Sequence, residues 1–132
     1  MESSSPLAGS HFCEDLGIEL ISYLDGKAII ALTVQPRMTN RFGMAHGGIV
    51  STLADQAMGL AWRSAAPDRK PAGTINLNVN FIAPAKGRLR AEANVVKIAG
   101  RCAFCEGHIY GEDGSVIASM QGTFGIRSNN AG

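Results

Sequence analysis

The sequence predicts an α+β domain in which a curved antiparallel sheet of about six strands wraps around one long central helix. Three observations carry this expectation. Six apolar or alternating segments of strand length are separated by turn residues, and the stretch from Gly47 to about Arg63 is apolar on nearly every side at helical spacing. Two of the strand segments precede the helix and four follow it, with none of the strand-helix alternation that builds a parallel sheet. A sheet of this size curls under its own twist, and an all-apolar helix is buried best inside the curl.

Residues 1–11 are Ser-rich with a Pro and a Gly, the composition of a loose terminal tail. Ile18 to Leu24 and Lys27 to Val34 are apolar and β-branched with Asp25-Gly26 between them, which predicts a hairpin. Pro36 ends the second strand, and Arg37 to Met44 reads as a loop. The helix from Gly47 carries Ile49, Val50, Leu53, Ala54, Ala57, Met58, Leu60, Ala61 and Trp62, and Ala65-Ala66-Pro67-Asp68 ends it.

Thr74 to Phe81 then alternates, with Ile75, Leu77, Val79 and Phe81 on one face and Thr74, Asn76, Asn78 and Asn80 on the other. This predicts a half-buried central strand. Strands from Arg88 to Ile98, Arg101 to Tyr110 and Val116 to Ile126 follow, joined by links of hairpin length. The domain is expected to span 12–127, leaving 128–132 as a C-terminal tail.

At 132 residues the chain holds one domain with a real core. Its 12 basic and 11 acidic residues nearly cancel, and no run of like charge suggests a nucleic-acid surface. No window holds eighteen apolar residues and no secretion signal opens the chain, so a soluble cytoplasmic protein without membrane contact is expected. Cys13, Cys102 and Cys105 are an odd set. Cys102 and Cys105 fall on a strand, where residues three apart face opposite ways. They are read as small buried apolar residues, not as a redox pair or zinc ligands.

Asp55 is the anomaly of the helix. An unpaired carboxylate among apolar residues is costly, and the positions three and four residues away hold Ser51, Thr52, Met58 and Gly59, none of them a cation. A hydrogen bond to Thr52 or to a neighbouring strand would be the structural alternative to a catalytic role. His46-Gly47-Gly48 stands where loop becomes helix, and two glycines there open the unpartnered N–H groups of the first turn to a ligand. Those donors and the helix dipole suit a carbonyl oxygen becoming an oxyanion. With a carboxylate to activate water or to attack directly, they are the minimum for acyl transfer.

Gly47 and Asp55 are eight residues apart on one helix, about 12 Å at 1.5 Å per residue. They cannot grip one carbonyl together. If both act on one substrate they come from two chains, with two helices antiparallel about a two-fold axis. A homodimer with shared sites is therefore expected.

The run Asn40-Arg41-Phe42-Gly43-Met44-Ala45-His46-Gly47-Gly48, followed on the helix by Leu53-Ala54-Asp55, resembles the hotdog-fold acyl-CoA thioesterases of the phenylacetate-pathway type, within the wider thioesterase superfamily. Leu16-Gly17-Ile18, Asn78-Val79-Asn80-Phe81, Pro84-Ala85-Lys86-Gly87 and Gly122-Thr123-Phe124 extend the resemblance over Phe12 to Arg127. It implies a hotdog fold and hydrolysis of an aryl- or medium-chain acyl-CoA to the acid and CoA, with no metal or other cofactor. It also implies a homodimer that pairs again into a tetramer.

By the same resemblance the Gly47 N–H polarises the thioester carbonyl, Asn40 and His46 shape that end of the site, and Asp55 of the partner is base or nucleophile. Thr74 matches a position that helps place water or carboxylate. His46 could instead be a general base, as in hotdog dehydratases, but an orienting role is favoured because its own Asp55 is out of reach. Among the basic residues, Lys86, Arg88 and Arg101 flank turns beside the sheet and are the candidates for holding the phosphates of CoA. A hotdog hydratase or dehydratase and a non-catalytic acyl-CoA sensor are the rival readings. Asp55 weighs against the sensor, and the chain leaves no room for a helix-turn-helix.

Overall fold

The computed structural model describes residues 5–128. Helix α1 spans His11–Leu16, and strands β1 (Glu19–Leu24) and β2 (Lys27–Thr33) follow it. After a single 3-10 turn at Pro36–Met38 comes helix α2 (Gly47–Ala65), then β3 (Pro71–Phe81), β4 (Arg88–Ala99), β5 (Cys102–Tyr110) and β6 (Val116–Ile126). The six strands form one antiparallel sheet in the order β1-β2-β4-β5-β6-β3, and α2 touches every strand. The expected sheet curled about one helix is present. No helix among the described residues is long and apolar enough to cross a membrane.

Helix α1 is absent from the sequence expectation, because six residues with two core positions give too little periodicity to see. Ser10 caps it by accepting from the Cys13 N–H, and Gly17 in the left-handed region closes it with N–H contacts to Cys13 and Glu14. Cys13 and Leu16 are buried, and Leu7 joins them in the core, so the segment before residue 12 is not wholly a loose tail. Residues 1–4 of that expected tail, and 129–132 of the C-terminal one, lie outside the described residues.

The β1–β2 hairpin turns at Asp25 and Gly26, both at positive φ, as the Asp-Gly pair predicts. Gly26 also donates its N–H to Ser64 Oγ at 2.8 Å, which ties the turn to the end of α2. On α2 the residues Val50, Leu53, Ala54, Ala57, Met58, Leu60, Ala61 and Trp62 are buried against the sheet. The helix is less uniformly covered than its composition suggests: Ser51, Thr52, Asp55, Gln56, Gly59 and Arg63 remain half-buried. Cys102 and Cys105 are free thiols on β5, the second buried and the first partly exposed.

Strand β3 corrects two expectations. It is an edge strand, not a central one, and among the described residues it pairs with β6 alone. Residues 82–87 carry the chain away from it: Ile82 and Ala83 donate to the Ile117 carbonyl, and Val34 donates to that of Gly87 where β4 sets out beside β2. Alternation along a strand fixes its two faces and says nothing about its neighbours. Nor is the apolar face half-buried, since Ile75, Leu77 and Phe81 are 63%, 37% and 58% exposed and only Val79 is partly covered.

Candidate active site

One group of the expected residues gathers where α2 begins. The Asn40 side chain folds the preceding loop by accepting from the N–H groups of Phe42 and Met44 at 2.8 and 3.2 Å, while Gly43 takes a positive φ. The chain is then held on both sides, since Ala45 donates to the Ala85 carbonyl and His46 to that of Met38. His46 is the N-cap of α2, with Nδ1 accepting from the Gly48 N–H at 2.9 Å. An accepting Nδ1 leaves the ring proton on Nε2.

With Gly48 satisfied in this way, the N–H of Gly47 donates to no described residue. It stands at the positive end of a nineteen-residue helix. A Cβ on Gly47 would touch the Phe81 ring at 3.5 Å, so the end of β3 lies over this turn.

A second group gathers at the middle of α2. Thr74 Oγ1, on the neighbouring strand β3, donates to Asp55 Oδ1 at 2.7 Å, so the carboxylate is partnered as the structural alternative required and is not the unpaired acid that the helix alone suggests. Strict alternation had put Thr74 on the face shared by Asn76, Asn78 and Asn80, away from the helix. The register shows why it turns inward: Thr74 pairs with Phe124 and Asn76 with Thr123, so a bulge at Ile75 reverses the parity of the strand at that point. No rule of period two reveals such a bulge, although Gly73, at φ +115°, marks irregular backbone beside it.

Beside this pair lies a cavity of about 130 Å³ whose walls include Trp62, Phe124, Gly59, Gln56 and Arg63. Sequence reasoning missed the last three as pocket residues. The signal was the succession of Asp55, Gly59 and Arg63 at steps of four residues.

The two groups do not meet within one chain. Eight residues of α2 separate Gly47 from Asp55, about 12 Å of helix. The three cations expected at CoA do not converge either. Lys86 is exposed on the link whose Ala85 carbonyl holds Ala45, near the start of α2. Arg88 faces Glu19 at 2.6 Å, and that hydrogen bond and its charge hold the Glu19 carboxyl below its ordinary range. Arg101 lies at the β4–β5 turn, at the opposite end of β4. Among the described residues no group of three or more His, Cys, Asp or Glu could hold a metal ion.

Residues 42–118 match the family model described as the thioesterase superfamily, a span that contains Gly47, Asp55 and Thr74. A Halobacterium salinarum protein provisionally named an esterase is 38% identical over 96 residues, which are 69% of this chain and 64% of its own length. The 1,4-dihydroxy-2-naphthoyl-CoA hydrolase of Listeria monocytogenes is 34% identical over 64% of this chain and 70% of its own. Among solved structures, a conserved protein of Pseudomonas aeruginosa superposes with a TM-score of 0.87 at 30% identity, covering 95% of this chain and all of that one.

Proposed function

The chain belongs to the thioesterase superfamily and has its hotdog fold, and on that premise we propose that it is an acyl-CoA thioesterase whose active sites are shared between two subunits. Thioester hydrolysis at large follows from the family. The finer reading rests on one observation: an open oxyanion donor at Gly47 and a carboxylate fixed by Thr74 at Asp55, held apart on one rigid helix. Two such helices running antiparallel about a two-fold axis would bring each donor to the other chain's acid.

The exposed edge of β3 supports the pairing. Among the described residues its outer side has no strand partner, and its apolar residues Ile75, Leu77 and Phe81 are exposed, a combination that single chains avoid. A second copy laid against this edge would cover it. Dimers pairing again into a tetramer remain part of the same reading.

In the proposed reaction the thioester carbonyl oxygen accepts from the Gly47 N–H of one subunit. Across the interface Thr74 occupies Asp55 Oδ1, leaving Oδ2 to take a proton from water. The water oxygen bonds to the carbonyl carbon, and the Gly47 N–H and helix dipole stabilise the oxyanion. Collapse breaks the C–S bond, and the proton held by Asp55 passes to the leaving CoA sulfur. Direct attack by Asp55, giving a mixed anhydride that water then cleaves, uses the same atoms.

Neither route calls on a metal or a redox cofactor. His46 Nδ1 is committed to Gly48, which weighs against the hydratase reading with His46 as base. Lys86, on the link beside the start of α2, is the best placed of the three cations for the CoA phosphates. Relatives named as a 1,4-dihydroxy-2-naphthoyl-CoA hydrolase and as a medium/long-chain acyl-CoA thioesterase support a CoA thioester substrate.

The test is release of free thiol from a panel of aryl- and medium-chain acyl-CoA thioesters. Asp55→Ala is expected to lose about a hundred-fold or more in turnover, as for a positioned base. Near-native turnover in that variant would sink the assignment.

A further inference from the structure

Asp55, Gly59 and Arg63 follow one another at four-residue spacing on α2 and so share one face of the helix. Glycine in the middle of a helix is less favourable than alanine. Nothing in the backbone requires it at 59: a Cβ there would meet only Phe124 Cε2, at 3.8 Å, which is ordinary contact. What a side chain would occupy is the cavity of about 130 Å³.

That cavity has two unlike ends. Asp55 and Thr74 stand at one, and Arg63 stands at the other, about 12 Å along the helix axis. Helical side chains lean toward the N-terminus, which brings Arg63 back over the gap that Gly59 leaves. Arg63 is half-buried, and among the described residues it makes no ion pair and its side chain donates only to the Pro6 carbonyl, at 3.4 Å. Trp62 and Phe124 supply aromatic walls between the ends.

We infer that this cavity receives the acyl group and that Arg63 selects a compact acyl whose far end carries a carboxylate. The inference rests on the hydrolase reading above and names its substrate class. The cavity is open on one side, and its volume of about 130 Å³ suits a single ring or a short dicarboxylic acyl at its inner end. The two charges also orient the substrate. A terminal carboxylate is repelled from Asp55 and attracted to Arg63, which leaves the thioester carbonyl at the catalytic end.

Two measurements test this. Trp62 is the chain's single tryptophan, so its fluorescence reports occupancy of the cavity it lines. Titration with terephthalate and with benzoate is expected to show at least ten-fold tighter binding of the diacid, and Arg63→Met to bring the two together. Equal binding in the native protein, or a preference that survives Arg63→Met, overturns the inference. In parallel, Gly59→Ala should raise Tm while weakening terephthalate at least three-fold; a fall in Tm with unchanged binding would make Gly59 a packing residue. Thiol release from 4-carboxybenzoyl-CoA against benzoyl-CoA separates the two readings. Cleavage of both esters at equal kcat/KM overturns the selectivity alone, whereas no cleavage of any acyl-CoA overturns the hydrolase reading and leaves the acid titrations to decide the role of Arg63.

Discussion

The hydroxyl of Thr74 donates to Asp55 Oδ1 at 2.7 Å, joining the bulged start of edge strand β3 to the exposed face of α2. One carboxylate oxygen thereby has a fixed partner. Removing a hydrogen bond to a charged group costs about 1.5–3 kcal/mol. Thr74→Val should therefore lower turnover by about ten- to a hundred-fold, while Thr74→Ser stays within about three-fold. Thiol-release kinetics decide it. Equal turnover in the Val and Ser variants would leave Thr74 a packing residue.

The same helix places Gly47 out of reach of Asp55, so damage to the two half-sites should complement. Asp55→Ala chains and Asn40→Ala chains are each expected to be nearly inactive alone. Mixed and refolded in equal amounts, they form about half heterodimers, each with one intact site of two, so about a quarter of native activity should return. No recovery, with heterodimers shown by native mass spectrometry, would argue for sites built within single chains.

Much of this was visible in the residues. Asp25-Gly26 announces its hairpin, the apolar spacing from Ile49 to Trp62 announces α2, and the lone Asp55 announces itself by its cost. What was hidden has physical reasons. Helix α1 is too short to show a period, and the partners of β3 depend on residues 82–87 crossing to β4, which alternation cannot encode. The inward turn of Thr74 comes from a one-residue bulge that reverses parity without altering composition. Gly59 and Arg63 were passed over because a glycine and a terminal arginine on a helix are ordinary until a cavity is found between them.

His46 caps α2 through Nδ1, so an organiser and a base should respond differently to substitution there. Losing an N-cap to alanine costs about 1 kcal/mol, whereas asparagine is itself a preferred cap. His46→Ala should lower Tm by a few degrees and loosen the Gly47 turn. His46→Asn should keep Tm and hold turnover within about ten-fold. If asparagine proves as damaging to turnover as alanine while Tm is preserved, His46 is a proton carrier after all.

Cys105 is buried on β5, and removal from water pushes its thiol up to about 12 from an ordinary 9.0. The protonated form is favoured in the fold, so the stabilisation is intact below about pH 9 and is lost as pH rises toward 12. The unfolded chain ionises first in that window. Denaturant unfolding from pH 8 upward should show declining stability, with a shallower decline in Cys105→Ala once its lower starting stability is subtracted. Parallel slopes in the two proteins would remove Cys105 from the alkaline transition.

The edge of β3 makes the last prediction. Leu77 is 37% exposed, lies on the apolar face of the strand and takes no part in the Asp55–Thr74 bond or the Gly47 turn. A lysine at an exposed strand edge is a natural guard against pairing, because its charge must be desolvated for a second strand to dock. Leu77→Lys should shift the protein toward monomer in analytical ultracentrifugation while circular dichroism still reports a folded sheet and helix. Turnover should fall with the dimer fraction, and raising protein concentration should restore both together. A folded Leu77→Lys monomer with full specific activity would show that one chain suffices for catalysis; an active dimer unchanged by the lysine would move the interface away from β3.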